Sequence, residues 1–168
     1  MEFQDLYEKY APAVRRFALF LCGDSMMADD ITSDTFMRAW LAQERIRQPT
    51  VKSYLFTIAR NAYHDVQRRE WRRTSLDERK ADEGIGMHAH LEQKEEVKAV
   101  MAALKELPEI DRTILLMRTL DDMPYDEIAA ALEIPVTTAK VKVHRARAKL
   151  MEARNPTREG STVLGERP

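Results

Sequence analysis

Two carboxylates one helical turn apart, Asp30 and Asp34, are the first residues in this sequence whose spacing suits chemistry. Four apart on a helix they share a face, as a metal site or an acid–base pair would require. Neither a His nor a third carboxylate joins them at ligand spacing, so a solvated or partner-binding acidic face is expected, with no metal. A metal-dependent nucleic-acid hydrolase would have to combine Asp29, Asp30, Asp34 and His64, and the spacing lacks its further ligand. His88 and His90 flank Ala89, and two imidazoles alone make a poor metal site. The sequence shows no activated nucleophile or glycine-rich phosphate loop. No catalytic activity and no cofactor are therefore expected.

The stronger signal is cationic. Between Val136 and Leu150 stand Lys140, Lys142, Arg145, Arg147 and Lys149, with no acid among them. Val136, Ala139, Val143, Ala146 and Leu150 form one apolar seam at helical spacing. Such a helix docks on a protein core through its seam and faces a polyanion with the rest. Just before it, Tyr125, Ile128, Ala129 and Leu132 mark a shorter helix opened by Pro124, and Glu133-Ile134-Pro135 is the break. The pair reads as a helix-turn-helix whose second helix enters the DNA major groove. The alternative is a helical hairpin with a solvated basic face. Small Ala129 at the crossing and the short turn favour the motif. Glu133 stands where a left-handed residue is often needed, at a cost of roughly 1 kcal/mol.

A second basic stretch lies upstream. Arg60, Asn61, His64, Gln67 and Arg68 run on into Arg69, Trp71, Arg72 and Arg73, and Tyr54 and Tyr63 interleave with them. Cations for phosphates and aromatics for stacking suit a single strand. Equally, the aromatics could be core residues of a helix with a soluble, Arg-rich end.

These groups must be held by helices. The 168-residue chain is 33% charged and 44% hydrophobic, has few glycines, and shows long 3.6-residue periods. Its fold class is expected to be all-α. Cys22 is the single cysteine, so no internal disulfide can form, and a reducing, cytoplasmic setting is expected. No apolar run approaches the ~20 residues of a membrane span, and the first ten residues lack signal-peptide features. Phe3, Leu6, Tyr7, Tyr10, Val14, Phe17 and Leu21 mark a first helix, with Gly23-Asp24-Ser25 as its stop and the next helix's cap. A second spans about Met26 to Ala42, and Gln43 to Lys52 is a polar loop. A third, of about twenty residues, buries Leu55, Ile58, Ala59, Ala62 and Val66. Two small helical domains are expected: 1–73 and 92–151, joined by a flexible linker at 74–91 and followed by a disordered tail at 152–168. The second is a four-helix unit ending in the helix-turn-helix. Net charge is −1, yet segments 38–80 and 136–150 carry +6 and +5, against −4 for 1–37 and −8 for 81–135. Two nucleic-acid surfaces on a chain that also needs a protein partner would produce that segregation.

The sequence resembles a known family in three places, in order along the chain. ADDITSDTFMRAW (28–40) is similar to the segment with which bacterial sigma factors hold the clamp helices of core RNA polymerase. SYLFTIARNAYHDVQRRE (53–70) resembles the segment that recognises and melts the downstream (−10) promoter element, and 107–150 the domain that reads the upstream (−35) element. Two such domains with a short linker resemble the extracytoplasmic-function group. The resemblance implies core-polymerase contacts or support at Asp30, Asp34, Phe36, Arg38 and Trp40. It implies downstream-element contacts at Arg45, Arg47, Arg60, Asn61 and Arg68, with the loop 43–52 capturing an extruded base. Upstream contacts fall at Thr137, Thr138, Lys140, Lys142, His144 and Arg145. The implied partners are core RNA polymerase, promoter DNA and an anti-sigma factor, with no membrane contact by the chain itself. Ser33 replaces a common Gln, Glu133 a Gly, and Val141-Lys142 the usual Ser-Arg. A free-standing DNA-binding repressor is the rival reading, and it leaves the acidic second helix without a role.

Overall fold

In a computed structural model, residues 2–42, 50–76 and 95–154 are described, and all seven of their regular elements are helices. They are α1 (Phe3–Cys22), α2 (Ser25–Leu41), α3 (Val51–Leu76), α4 (Glu95–Glu106), α5 (Glu109–Asp121), α6 (Tyr125–Leu132) and α7 (Val136–Arg154). The fold is all-α, as the periodicity predicts. Positions 77–94, which take in most of the expected linker, and 155–168 of the expected tail lie outside the described residues, as does the 43–49 part of the loop.

Local signals explain the boundaries. α1 stops at Gly23, whose φ of 76° is left-handed and whose N–H donates to Leu19 O at 2.7 Å. A Cβ there would also sit 3.0 Å from Cε of Lys105 on α4, a flexible side-chain end that can move aside, so the left-handed turn is what calls for glycine. Asp24 then caps α2, its Oδ1 accepting from Met26 N at 2.8 Å and Met27 N at 3.1 Å. Thr50 does the same for α3 through Ser53 N at 3.1 Å. Pro108 and Pro124, extended in ψ, precede α5 and α6.

Helices α1–α3 form one unit around Val14, Phe17, Leu21, Ile31, Leu55, Phe56 and Ala59. Helices α4–α7 form the second, around Leu104, Ile114, Met117, Ile128, Ala139, Val143 and Ala146. The two units dock: α1 lies against α4 and α5, α3 against α6, and one buried apolar cluster runs through both. Cys22 is buried at the end of α1, and its thiol donates to Asp24 O at 3.3 Å. Burial pushes its pKa up to about 11, so it stays an unreactive thiol at neutral pH.

Phe17 and Phe56 are fully buried, with ring centroids 4.8 Å apart, and tie α1 to α3. Phe56→Ala should cost about 3–5 kcal/mol of stability. A urea midpoint unchanged from wild type would contradict that packing.

Candidate functional site

The turn of the expected helix-turn-helix is left-handed at Glu133, with φ 55° and ψ 47°. Its N–H and that of Ile134 turn back to Ala129 O, the latter at 3.0 Å. The strained position is therefore occupied by a Glu, with two backbone bonds holding it. α7 buries Ala139, Val143 and Ala146 and exposes Thr137, Lys140, Val141, His144, Arg145 and Arg147, with Thr138 half-buried. Thr137, His144 and Arg145 make no ion pair with the described residues. Lys140 lies 5.9 Å from the centroid of the Tyr125 ring. Lys142 differs from its neighbours: its Nζ bonds Oδ1 of buried Asp111 on α5 at 3.2 Å. It anchors α7 to the domain rather than joining the outward cations.

On α3, Asn61 is exposed, whereas Tyr63 is buried, so that aromatic belongs to the core and not to a stacking surface. Trp71 is exposed near the helix end. Arg60 is already engaged. Its Nε and Nη2 donate to the two oxygens of Glu109, in the first turn of α5, at 2.9 and 3.0 Å. His64 Nε2 lies 3.1 Å from the same carboxylate, and Thr113 Oγ1 donates to it at 2.8 Å. Lys52 and Arg16 approach Asp121, at the end of α5, at 3.4 and 3.7 Å, and the Thr50 hydroxyl donates to Glu127 of α6 at 3.3 Å. Arg112 crosses in the other direction, its Nη1 donating to Leu21 O at 2.6 Å. Arg68 pairs with Asp65 on its own helix. Arg45 and Arg47 lie outside the described residues.

On α2, Arg38 Nη2 bridges Asp34 at 2.9 Å and Asp65 at 2.7 Å, tying α2 to α3. Asp30 is exposed and lines an open groove between these helices, with Arg69 and Arg73 on the opposite wall. Phe36 is buried, with Tyr7 edge-on at 4.9 Å, and Phe3 lies edge-on to Trp40 at 4.8 Å. Phe36 therefore supports the helix end, while Trp40 remains more than half exposed. Asp29 pairs with Arg15 at 2.7 Å, so the residues a hydrolase would need point to separate partners.

Residues 6–73 match the family described as Sigma-70 region 2, and 98–150 match Sigma-70, region 4. The chain is 34% identical over 149 residues to ECF RNA polymerase sigma factor EcfG of Rhodopseudomonas palustris, covering 83% of this chain and 77% of that protein. It is 28% identical to sigma factor SigM of Bacillus subtilis over 156 residues, covering 89% and 93% of the two chains. The chain belongs to the ECF RNA polymerase sigma factors. Such a factor binds core RNA polymerase and directs it to promoters. In structure it is similar to the sigma factor RpoE of Bartonella quintana, solved in complex with the anti-sigma factor NepR. The TM-score is 0.77 at 27% identity, over 91% of this chain and 96% of that one.

In this sigma factor a set of polar contacts flanks the shared apolar cluster between the two units, and sequence reading missed the residues that make them. Glu109, Arg112 and Asp121 carry no signal of their own; a block of acid in one half and base in the other was the available clue. Burial works to raise the Glu109 pKa, but hydrogen bonds from Arg60 and Thr113 and the charges of Arg60 and His64 outweigh it. The pKa falls from 4.5 to about 2. Asp121 moves the other way: burial raises it, against Lys52 and Arg16, and its Oδ2 has no partner among the described residues.

A carboxylate with a depressed folded pKa stabilises above its unfolded pKa and loses that contribution as pH falls. The Glu109 contribution should be complete above pH 4.5 and disappear as pH falls toward about 2. Wild type should unfold at higher urea than Glu109→Gln at neutral pH, and the gap should narrow in that acidic window. Asp121 is common to both proteins and cancels. A gap independent of pH would contradict the assignment.

Proposed function

We propose that residues 1–73 act as the region 2 domain, contacting core polymerase and the downstream element, and that 92–151 act as the region 4 domain reading the upstream element. Of the expected linker 74–91 and tail 152–168, residues 74–76 instead continue α3 and 152–154 continue α7. The observation that carries the reading is the outward face of α7, where Thr137, Lys140, His144 and Arg145 are exposed opposite a buried seam. Lys140 and Arg145 supply guanine or phosphate contacts, and Thr137, Thr138 and His144 further polar contacts in the major groove. Lys142 acts indirectly, by fixing α7 through Asp111.

In the first domain, Asp30 and the groove beside it face core polymerase, with Asp34 and Arg38 holding that wall and Phe36 and Trp40 shaping the end of α2. Asn61 and Arg60 meet the opened strand, aided by Arg45, Arg47 and Arg68. The docked arrangement is the idle form: the Nε–Nη2 edge of Arg60 cannot serve a strand while Glu109 occupies it. The similarity, over 91% of this chain, to a sigma factor solved in complex with an anti-sigma factor supports an anti-sigma partner, and such a partner would hold this chain closed. Core polymerase would separate the domains. The chain works in the cytoplasm without catalytic activity of its own; no described helix is long and apolar enough to cross a membrane.

The basic blocks sit beside acidic ones, so the long-range attraction to duplex largely cancels. In a mobility shift at about 0.15 M salt, where the Debye length is about 8 Å, the isolated chain should bind promoter duplex weakly and core polymerase should make binding specific. Tight specific binding unchanged by core would instead favour a repressor. Lys140→Ala and Arg145→Ala should each lower promoter-specific initiation roughly tenfold and leave core binding intact. Asn61→Ala should spare recruitment and impair opening, with partial rescue on a pre-melted template.

Asp30→Arg should weaken core binding while changing stability by no more than about 0.5 kcal/mol. Equal core affinity for the variant and wild type would remove Asp30 from the contact.

A further inference from the structure

Val141 is the centre of the outward face of α7. At 100° per residue it lies opposite the seam of Ala139, Val143 and Ala146, and Thr137, His144, Arg145 and Ala148 surround it on the same side. It is 52% exposed, although valine is a poorer helix former than the Lys or Arg residues beside it. Local helix stability therefore gives no reason for valine here, and packing within the chain gives none either. Apart from Ala148, its neighbours are cations or hydrogen-bonding groups; Val141 is the one β-branched apolar side chain among them and offers a stiff pair of methyl groups. In the major groove the apolar feature of a base edge is the C5-methyl of thymine.

We propose that Val141 is a specificity residue that packs against a thymine methyl in the upstream element. Thr137, Lys140, His144 and Arg145 fix α7 over that base through polar contacts. This rests on the reading of α7 as the helix that enters DNA. Because a valine neither donates nor accepts a hydrogen bond, the preference it confers is for the methyl itself and not for the A·T pair as such. Desolvation of a methyl is modest, so the effect is selective rather than absolute: roughly fourfold in affinity for one methyl removed from water.

The test uses core polymerase loaded with the full-length chain. Duplexes with a randomised upstream element are selected for binding, and each enriched thymine is then replaced by deoxyuracil, which removes the methyl and keeps the pairing. At one thymine the wild type should lose about fourfold, and Val141→Ser should bind the two duplexes equally. Val141→Ser is a surface change, and an unaltered thermal midpoint verifies its fold. Arg145→Ala is the reference for the helix as a whole. If Arg145→Ala abolishes upstream selectivity while no thymine shows methyl dependence, or if the dependence survives in Val141→Ser, this inference is overturned and the reading of α7 stands. If wild type itself selects no upstream sequence, the reading of α7 fails and the inference with it.

Discussion

Arg60 can give the Nε–Nη2 edge of its guanidinium to one anion at a time, and in the docked arrangement that edge ties the two units together. A planar guanidinium offers a fork that fits a carboxylate or a phosphate in the same way. In the docked arrangement the fork is filled by Glu109, reached from the first turn of α5, where a carboxylate also suits the helix dipole. If α3 takes a strand through Arg60, as proposed, that capture and the docking of the two units compete for the same Nε–Nη2 edge. A rise in one lowers the other, with no need for a distant signal path.

The rest of the contact is built so that it can be undone. Arg112 donates to Leu21 O from a buried position, yet its Nε has no partner among the described residues, and Asp121 has an orphan Oδ2. Buried polar atoms left unpaired cost free energy that apolar packing would not. Arg16 and Lys52 only partly compensate Asp121, as its raised pKa reflects. Burial is the larger influence there, so the carboxylate is held in a setting that disfavours its charge. An interface with such groups is worth less than its apolar cluster alone suggests, and a partner that hydrates or replaces them gains that difference on opening.

The helices themselves were legible because each carries a 3.6-residue apolar period and a local stop: Gly23 after α1, Asp24 before α2, Pro124 before α6. Spacing also identified the outward cations of α7. It failed where a side chain's role depends on a distant partner. Lys142 and Lys140 are indistinguishable in sequence, and Asp111, 31 residues away, is what draws Lys142 inward. Tyr63 and Phe36 look like available aromatics until the neighbouring helices cover them. The polar contacts between the two units were invisible for the same reason: they are written in single charges, Glu109 and Asp121 among many acids, and not in any periodic pattern.

The Lys142–Asp111 bond has a consequence for how α7 can read anything. A helix whose fully buried seam is mostly small, here Ala139 and Ala146 around Val143, has little at the centre of that seam to resist rotation about its own axis. Lys142 lies to one side of that seam, and its bond to a nearly fully buried carboxylate on α5 resists rolling. The left-handed turn at Glu133 fixes the other end, since its backbone bonds to Ala129 set where α7 begins. Rotation by one residue would swing Val141 away from the outward centre and bring Lys140 or Lys142 in its place. An ion pair to a buried carboxylate can thus carry specificity beyond its contribution to stability, because a helix that reads a groove must present the same few side chains each time.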